Sequence, residues 1–248
     1  MITRRRGVFY KDSRPVPEAE QQRYQKIGIP PAYTNVEVYP NDPKLVATAV
    51  DGTGKKHYYY NEKFLERQRK LRKVRATQID FSKIKSVTTR ILGDPKHPLW
   101  DDALTLRMIA VAYLRSGSRD NDEAFGAMSL RRKHVKLSKD GETLTFDFPA
   151  KSGQQRFYEV KDRILHEAIT RQQNPLLSGN SNHTRVRDLL RKITGNDTIQ
   201  IKDIRTAGSM QLFQKHLKKY NGDEKKATDV TAETIGHTPS VSKKYYLL

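Results

Sequence analysis

The sequence predicts an α+β protein in two parts: a small β-rich domain over residues 1–76, then a mostly helical domain over 77–248 with a three-stranded β insert. Three observations predict it. Residues 35–60 alternate apolar and polar side chains around the turn signal Asp51-Gly52-Thr53-Gly54. Beyond residue 77 apolar residues recur at helical spacing. Between 135 and 160 the alternation returns, broken by two further turns.

Taken in order, residues 1–25 are polar and charged, with Pro15 and Pro17, and read as a loose arm. Ile27-Gly28-Ile29-Pro30-Pro31 is a stiff, extended lead-in, because each proline fixes its own φ and restricts its predecessor. Asn35–Tyr39 and Leu45–Val50 read as strands, and Lys55–Tyr60 returns as a hairpin partner. Residues 61–75 hold seven Lys/Arg against two Glu among good helix formers, a solvated basic helix leading to a linker near Ala76. Asp101-Asp102 can cap a helix to about Leu114, with Leu104, Met108, Val111 and Ala112 on one face. Val135 and Leu137 alternate, Asp140-Gly141 turns, and Leu144, Phe146 and Phe148 alternate back. Lys151-Ser152-Gly153-Gln154 turns again before Phe157–Val160. Helical spacing resumes at Val186, Leu189, Leu190 and Ile193, and at Met210, Phe213 and Leu217.

Composition bounds the chemistry. In 248 residues, 47 Lys+Arg against 28 Asp+Glu give a formal charge of +19, which points to a polyanionic partner: nucleic acid first, an acidic membrane surface second. The absence of Cys excludes disulfides, thiolate metal sites and a Cys nucleophile. Twelve Tyr and eight Phe argue against wholesale disorder. The longest apolar run, Met108–Leu114, is far short of the roughly 20 residues of a membrane span, and no apolar stretch follows the basic N-terminus as a signal peptide would require. No P-loop, Gly-rich dinucleotide turn or His-Glu-x-x-His motif occurs, and the seven His are scattered. Neither a cofactor nor a metal is expected. Any chemistry falls to Arg, Lys, His and Tyr.

The C-terminal region is the most informative. Lys202-Asp203-Ile204-Arg205-Thr206 opens a helical stretch, and Ile235-Gly236-His237-Thr238-Pro239 leads into Ser242-Lys243-Lys244-Tyr245-Tyr246, with Thr238 a suitable N-cap and Pro239 a suitable first helical residue. Ile-Gly-His-Thr-Pro-x-Val-x-x-Lys-x-Tyr, with Tyr246 nine residues after His237, resembles the C-terminus of type IB DNA topoisomerases. Lys202-Asp203-x-Arg205-Thr206 resembles their second-arginine box, and Arg115-Ser116-Gly117, followed by Phe125-Gly126 and Leu130, their first. Lys151-Ser152-Gly153 resembles their hairpin lysine. Ile29–Thr34 and Gly54–Tyr60 resemble the N-terminal domain of the bacterial and poxviral branch. One box by itself specifies little; six in chain order, across roughly residues 27–248, make the resemblance.

What it implies is a clamp of two domains around double-stranded DNA, acting as a monomer in the cytoplasm, without a cofactor. It further implies that Tyr246 attacks a phosphodiester to give a 3′-phosphotyrosyl bond, leaving a strand end free to swivel before resealing without ATP. A tyrosine phenol, with pKa near 10, is a poor nucleophile, and attack adds charge to the non-bridging oxygens. Arg115 and Arg205 are expected to hold those oxygens, His237 to donate a further hydrogen bond, and Lys151 to protonate the departing 5′ oxygen. Nine residues of straight helix span about 13 Å, so His237 and Tyr246 would reach one phosphate from different sides. Tyr58, Tyr60 and His57 at its strand edge, Arg67 in the basic run and Lys202 are the expected DNA contacts.

Departures from the family pattern are a segment before Phe125-Gly126 about three residues shorter than in bacterial members, Phe125 where Tyr is usual, and His237 where bacterial members often carry Asn. The sequence ends two residues after Tyr246, where relatives usually continue, which leaves two readings open: a short terminal helix or a trimmed chain. Two rivals differ in kind. A tyrosine recombinase shares the chemistry, but its second-arginine box begins with His where Lys202 stands, and its N-terminal domain is helical. A non-catalytic DNA-binding protein of the same fold would leave plasmid topology unchanged.

Overall fold

The computed structural model describes residues 1–119, 124–236 and 238–243. The chain divides into two compact units, Met1–Leu71 and Arg72–Leu248.

In the first unit, β1 (Ile2–Arg5), β2 (Val8–Lys11), β3 (Arg14–Pro15), β4 (Thr34–Val38), β5 (Leu45–Val50) and β6 (Lys56–Tyr60) form an antiparallel sheet in the order β3-β2-β1-β4-β5-β6. The three strands of the hairpin pair at 45–60 and its neighbour lie where alternation puts them. The N-terminal arm does not. Residues 1–25 are not loose: they form β1–β3 and α1 (Glu18–Gln25). Two-residue turns at Arg6-Gly7 and Asp12-Ser13, all four with positive φ, have the twist that antiparallel hairpins need. Ile2, Phe9, Val16 and Tyr24 bury the one apolar face that a mostly polar sequence conceals. Arg4 then fastens the proline segment, donating to the carbonyls of Ile29 (2.9 Å), Pro30 (2.8 Å) and Tyr33 (2.8 Å).

The helix α2 (Glu62–Ala76) carries the chain into the second unit, which contains α3 (Phe81–Leu92), α4 (Trp100–Ala112), α5 (Arg163–Arg171), α6 (His183–Thr194), α7 (Ile201–Lys219), α8 (Glu224–Ile235) and the short α9 (Pro239–Ser242). The β insert is β7 (Val135–Leu137), β8 (Thr143–Pro149) and β9 (Gln155–Lys161), an antiparallel meander. α4 is the central helix. It is buried on every side rather than along one stripe, because α3, α5, α6 and α7 all pack against it. Asp101 and Asp102 lie inside its first turn and do not cap it, since Leu99 occupies the N-cap. They serve the 180–185 segment instead. Asp101 accepts from the Asn180 N–H at 2.7 Å, and Asp102 accepts from the Ser181 hydroxyl at 2.6 Å and pairs with Arg185 at 2.7 Å.

The buried Arg107 of α4 makes a two-pronged pair with Asp162 (2.8 and 3.0 Å). Its remaining nitrogen donates to the Lys85 carbonyl, Thr88 and Thr89 of α3. Asp162 also caps α5 by accepting from the Leu165 N–H at 2.8 Å. One fully satisfied charge pair thus ties α3, α4, α5 and the end of β9. Among the described residues no helix is long and apolar enough to cross a membrane.

Candidate active site

The site starts where α4 stops. Tyr113 takes a left-handed conformation (φ 49°), turning the chain sharply into Leu114–Gly117. Its ring meets Phe81 edge-on at 6.0 Å and fills the space a side chain at Gly208 of α7 would need, since a Cβ there would lie 2.3 Å from the ring. Burial pushes its phenol above the usual tyrosine range, so it is neutral at physiological pH. Beyond it, the Arg115 and Ser116 carbonyls each accept at 2.8 Å, from the Ala127 and Met128 N–H groups. Gly117 and Gly126 press backbone to backbone, and a Cβ on Gly126 would sit 2.7 Å from the Arg115 carbonyl oxygen. This contact is the physical reason for glycine in both the Arg-x-Gly and the aromatic-Gly pairs. It holds the backbone of Arg115 while the side chain is exposed.

Arg205 lies in the second turn of α7 and is buried, at 7% exposure. Its guanidinium donates to the Tyr113 carbonyl and, at 2.8 Å, to the Ile235 carbonyl at the end of α8. Asp203, two residues earlier, anchors the helix start. It accepts from the Gln200 N–H at 2.9 Å and from Arg75 Nε at 2.7 Å. Lys151 stands exposed in the 3-10 turn between β8 and β9, which is closed by Ala150 N–H donating to the Gln154 carbonyl at 2.8 Å.

Arg115, Lys151 and Arg205, far apart in sequence, line one pocket together with Arg156, Gln154 and the Gly236 backbone. No carboxylate is among the described residues that line it. Arg115, Lys151 and Arg205 around a small cleft can receive an anion, and guanidinium forks match phosphate oxygens. His237 and Tyr246 lie outside the described residues. Gly236, which caps α8 immediately before His237, lines the pocket, and Thr238 caps α9, accepting from the Val241 N–H at 3.4 Å, with Pro239 first in the helix.

Of the other residues singled out in sequence, Tyr58 and Tyr60 project from the exposed face of β6, 54% and 39% exposed, with rings stacked at 6.5 Å. His57 faces the other way, half-buried, with Nε2 2.7 Å from Asp51 and its ring 4.8 Å from that of Tyr33. The His57 contact holds the Asp51 carboxyl well below the usual carboxylate range. Arg67 is exposed on α2. Lys202 is exposed at the start of α7, and partial desolvation followed by the charges of Arg72 and Arg75 pushes its ammonium down. Sequence reasoning missed Tyr113, Arg75 and Arg156. Arg156 did leave a signal: it shares a strand face with Tyr158 and Val160, the half-buried side of β9, where a cation needs a partner.

Residues 61–245 match the family described as eukaryotic DNA topoisomerase I, catalytic core. DNA topoisomerase 1B of Acanthamoeba polyphaga mimivirus is 30% identical over 97% of this chain and 81% of its own length. DNA topoisomerase I of Monkeypox virus is 24% identical over 98% of this chain and 87% of its own. Among solved structures, the XerH site-specific recombinase bound to difH substrate aligns at a TM-score of 0.47 and 13% identity, over 80% of this chain and 56% of the recombinase chain.

Proposed function

The chain belongs to the type IB DNA topoisomerase family, isomerases that nick and rejoin one strand of duplex DNA, and we propose that Tyr246, Arg115, Lys151, Arg205 and His237 carry that reaction here. The observation that supports this assignment is the convergence of Arg115, Lys151 and Arg205 on one pocket, with no carboxylate among the described residues that line it, beside the end of α8 that leads to His237.

The scissile phosphodiester sits in that pocket. The Tyr246 oxygen attacks phosphorus as its phenol proton passes to solvent, forming a P–O bond as the bond to the 5′ oxygen breaks. Arg115 and Arg205 stabilise the charge that develops on the non-bridging oxygens, and His237 adds a hydrogen bond. The carbonyls of Tyr113 and Ile235 orient Arg205, which supports this role by leaving little reorganisation for the transition state. Lys151, on an exposed turn, delivers a proton to the departing 5′ oxygen and recovers it when that hydroxyl attacks in the reverse step. One ester replaces another, so religation needs no ATP.

The stacked Tyr58–Tyr60 pair, Arg67 and Lys202 contact the duplex: the cations neutralise phosphates and the rings cover sugar and base edges. His57 supports this surface from behind, through Asp51 and Tyr33. The enzyme acts as a monomer on DNA in the cytoplasm. The direct test is incubation with supercoiled plasmid without ATP or magnesium. The wild-type chain relaxes it and a Tyr246→Phe variant does not; relaxation by Tyr246→Phe would refute the assignment.

A further inference from the structure

The C-terminal end of α8 exposes three consecutive carbonyls, Glu233, Thr234 and Ile235, and two arginines occupy them. Arg205 takes the third. Arg156, from β9, takes the first two, donating from Nη1 to Glu233 and from Nη2 to Thr234, both at 3.0 Å. A planar fork fits two successive carbonyls, and its charge suits the negative end of the helix dipole. The Tyr158 ring supports the guanidinium from one side at 4.8 Å. Gly236 also lies against it: a Cβ there would come within 2.3 Å of Nη1, so the fit requires glycine next to His237 in the chain. Arg156 pairs in register with Phe148, and the turn that bears Lys151 lies between these two residues. Among the described residues no other hydrogen bond joins the β8–β9 hairpin to α8.

We propose that Arg156 is a positioning residue: it locks the hairpin bearing Lys151 to the same helix end that holds Arg205, and so fixes the distance from the proton donor to the phosphate-binding guanidinium. This rests on the role given above to Lys151. Without Arg156, Arg205 keeps its carbonyl partners and the pocket keeps its phosphate ligands, but the hairpin loses its tie to α8. The defect is then one of proton delivery.

Single-turnover cleavage at a site mapped with the wild-type enzyme tests this. Two substrates are compared, one with the natural 5′ oxygen at the scissile linkage and one with sulfur there, which departs as a thiolate without a proton donor. Arg156→Ala is expected to cleave the oxygen substrate about 100-fold more slowly, the size of loss that a misplacement of ~1 Å produces, and to regain most of the rate on sulfur. Lys151→Ala shows the same pattern, and Arg156→Lys restores little because one ammonium cannot span both carbonyls. If Arg156→Ala loses its cooperative melt, Arg156→Gln, which keeps a donor group, enters the same comparison. Equal losses on both substrates, or no loss on oxygen, overturn the proposal. A Lys151→Ala defect that persists on sulfur overturns the Lys151 role and this inference with it. Absence of any wild-type covalent adduct would instead refute the assignment of the site itself.

Discussion

At the scale of residues, two guanidinium groups of the site are oriented by backbone carbonyls. Arg205 donates to the carbonyls of Tyr113 and Ile235, and Arg156 to those of Glu233 and Thr234. Beneath the pocket, the buried His134 lies 4.2 Å from the Phe125 ring, and its Nδ1 accepts from the Arg131 N–H at 3.1 Å. Burial first, then the charges of Lys133 and Arg131, push its imidazole down. The folded state therefore binds the proton less well than the unfolded chain, whose histidine titrates near pH 6.5. Its stabilisation is complete above about pH 6.5 and is lost as pH falls toward the lowered folded value. Thermal melts from pH 7.5 to 5 should show this loss, and His134→Gln, which keeps an acceptor but does not titrate, should flatten the profile. An unchanged profile would show that His134 is not the group responsible. Arg115, Lys151 and Arg205 were legible because their motifs are short and local. Arg156 was legible only as a cation on the half-buried face of β9; its partners are carbonyls, which any sequence would supply.

At the scale of elements, the unit is built around α4, and the Arg107–Asp162 pair is its most demanding feature. Removing one partner strands a buried charge, so Asp162→Ala is expected to cost about 3–5 kcal/mol in chemical denaturation. Joint replacement by Arg107→Met and Asp162→Leu should recover much of that; if the double variant is no more stable than Asp162→Ala, the stranded-charge account is wrong. The hairpin of β5 and β6 and the meander of β7–β9 were legible, since one face of each is buried and alternation records it. β1–β3 were not, because strands of two to four residues carry only one or two inward side chains each. α4 was read as amphipathic because Arg107 and Thr105 break the apolar run, although both are buried and satisfied within the fold.

At the scale of the whole molecule, the +19 charge sets how DNA is held. Log affinity should fall linearly with log salt, by about 0.9 per phosphate neutralised on duplex DNA. Arg67→Ala and Lys202→Ala should each lower that slope by about 1, whereas Tyr58→Ala with Tyr60→Ala should weaken binding at an unchanged slope. A slope altered by the tyrosine variants alone would contradict the division of labour proposed between the cations and the rings. The central claim is that the cationic pocket serves a phenol from the C-terminal segment. Its most direct test is to quench a cleavage reaction with denaturant, digest the protein and the DNA, and sequence the nucleotide-bearing peptide by mass spectrometry. The account predicts a phosphate joined to Tyr246 and to the 3′ end of the nicked strand. A nucleotide on Tyr245, a 5′ linkage, or the absence of any adduct would contradict it.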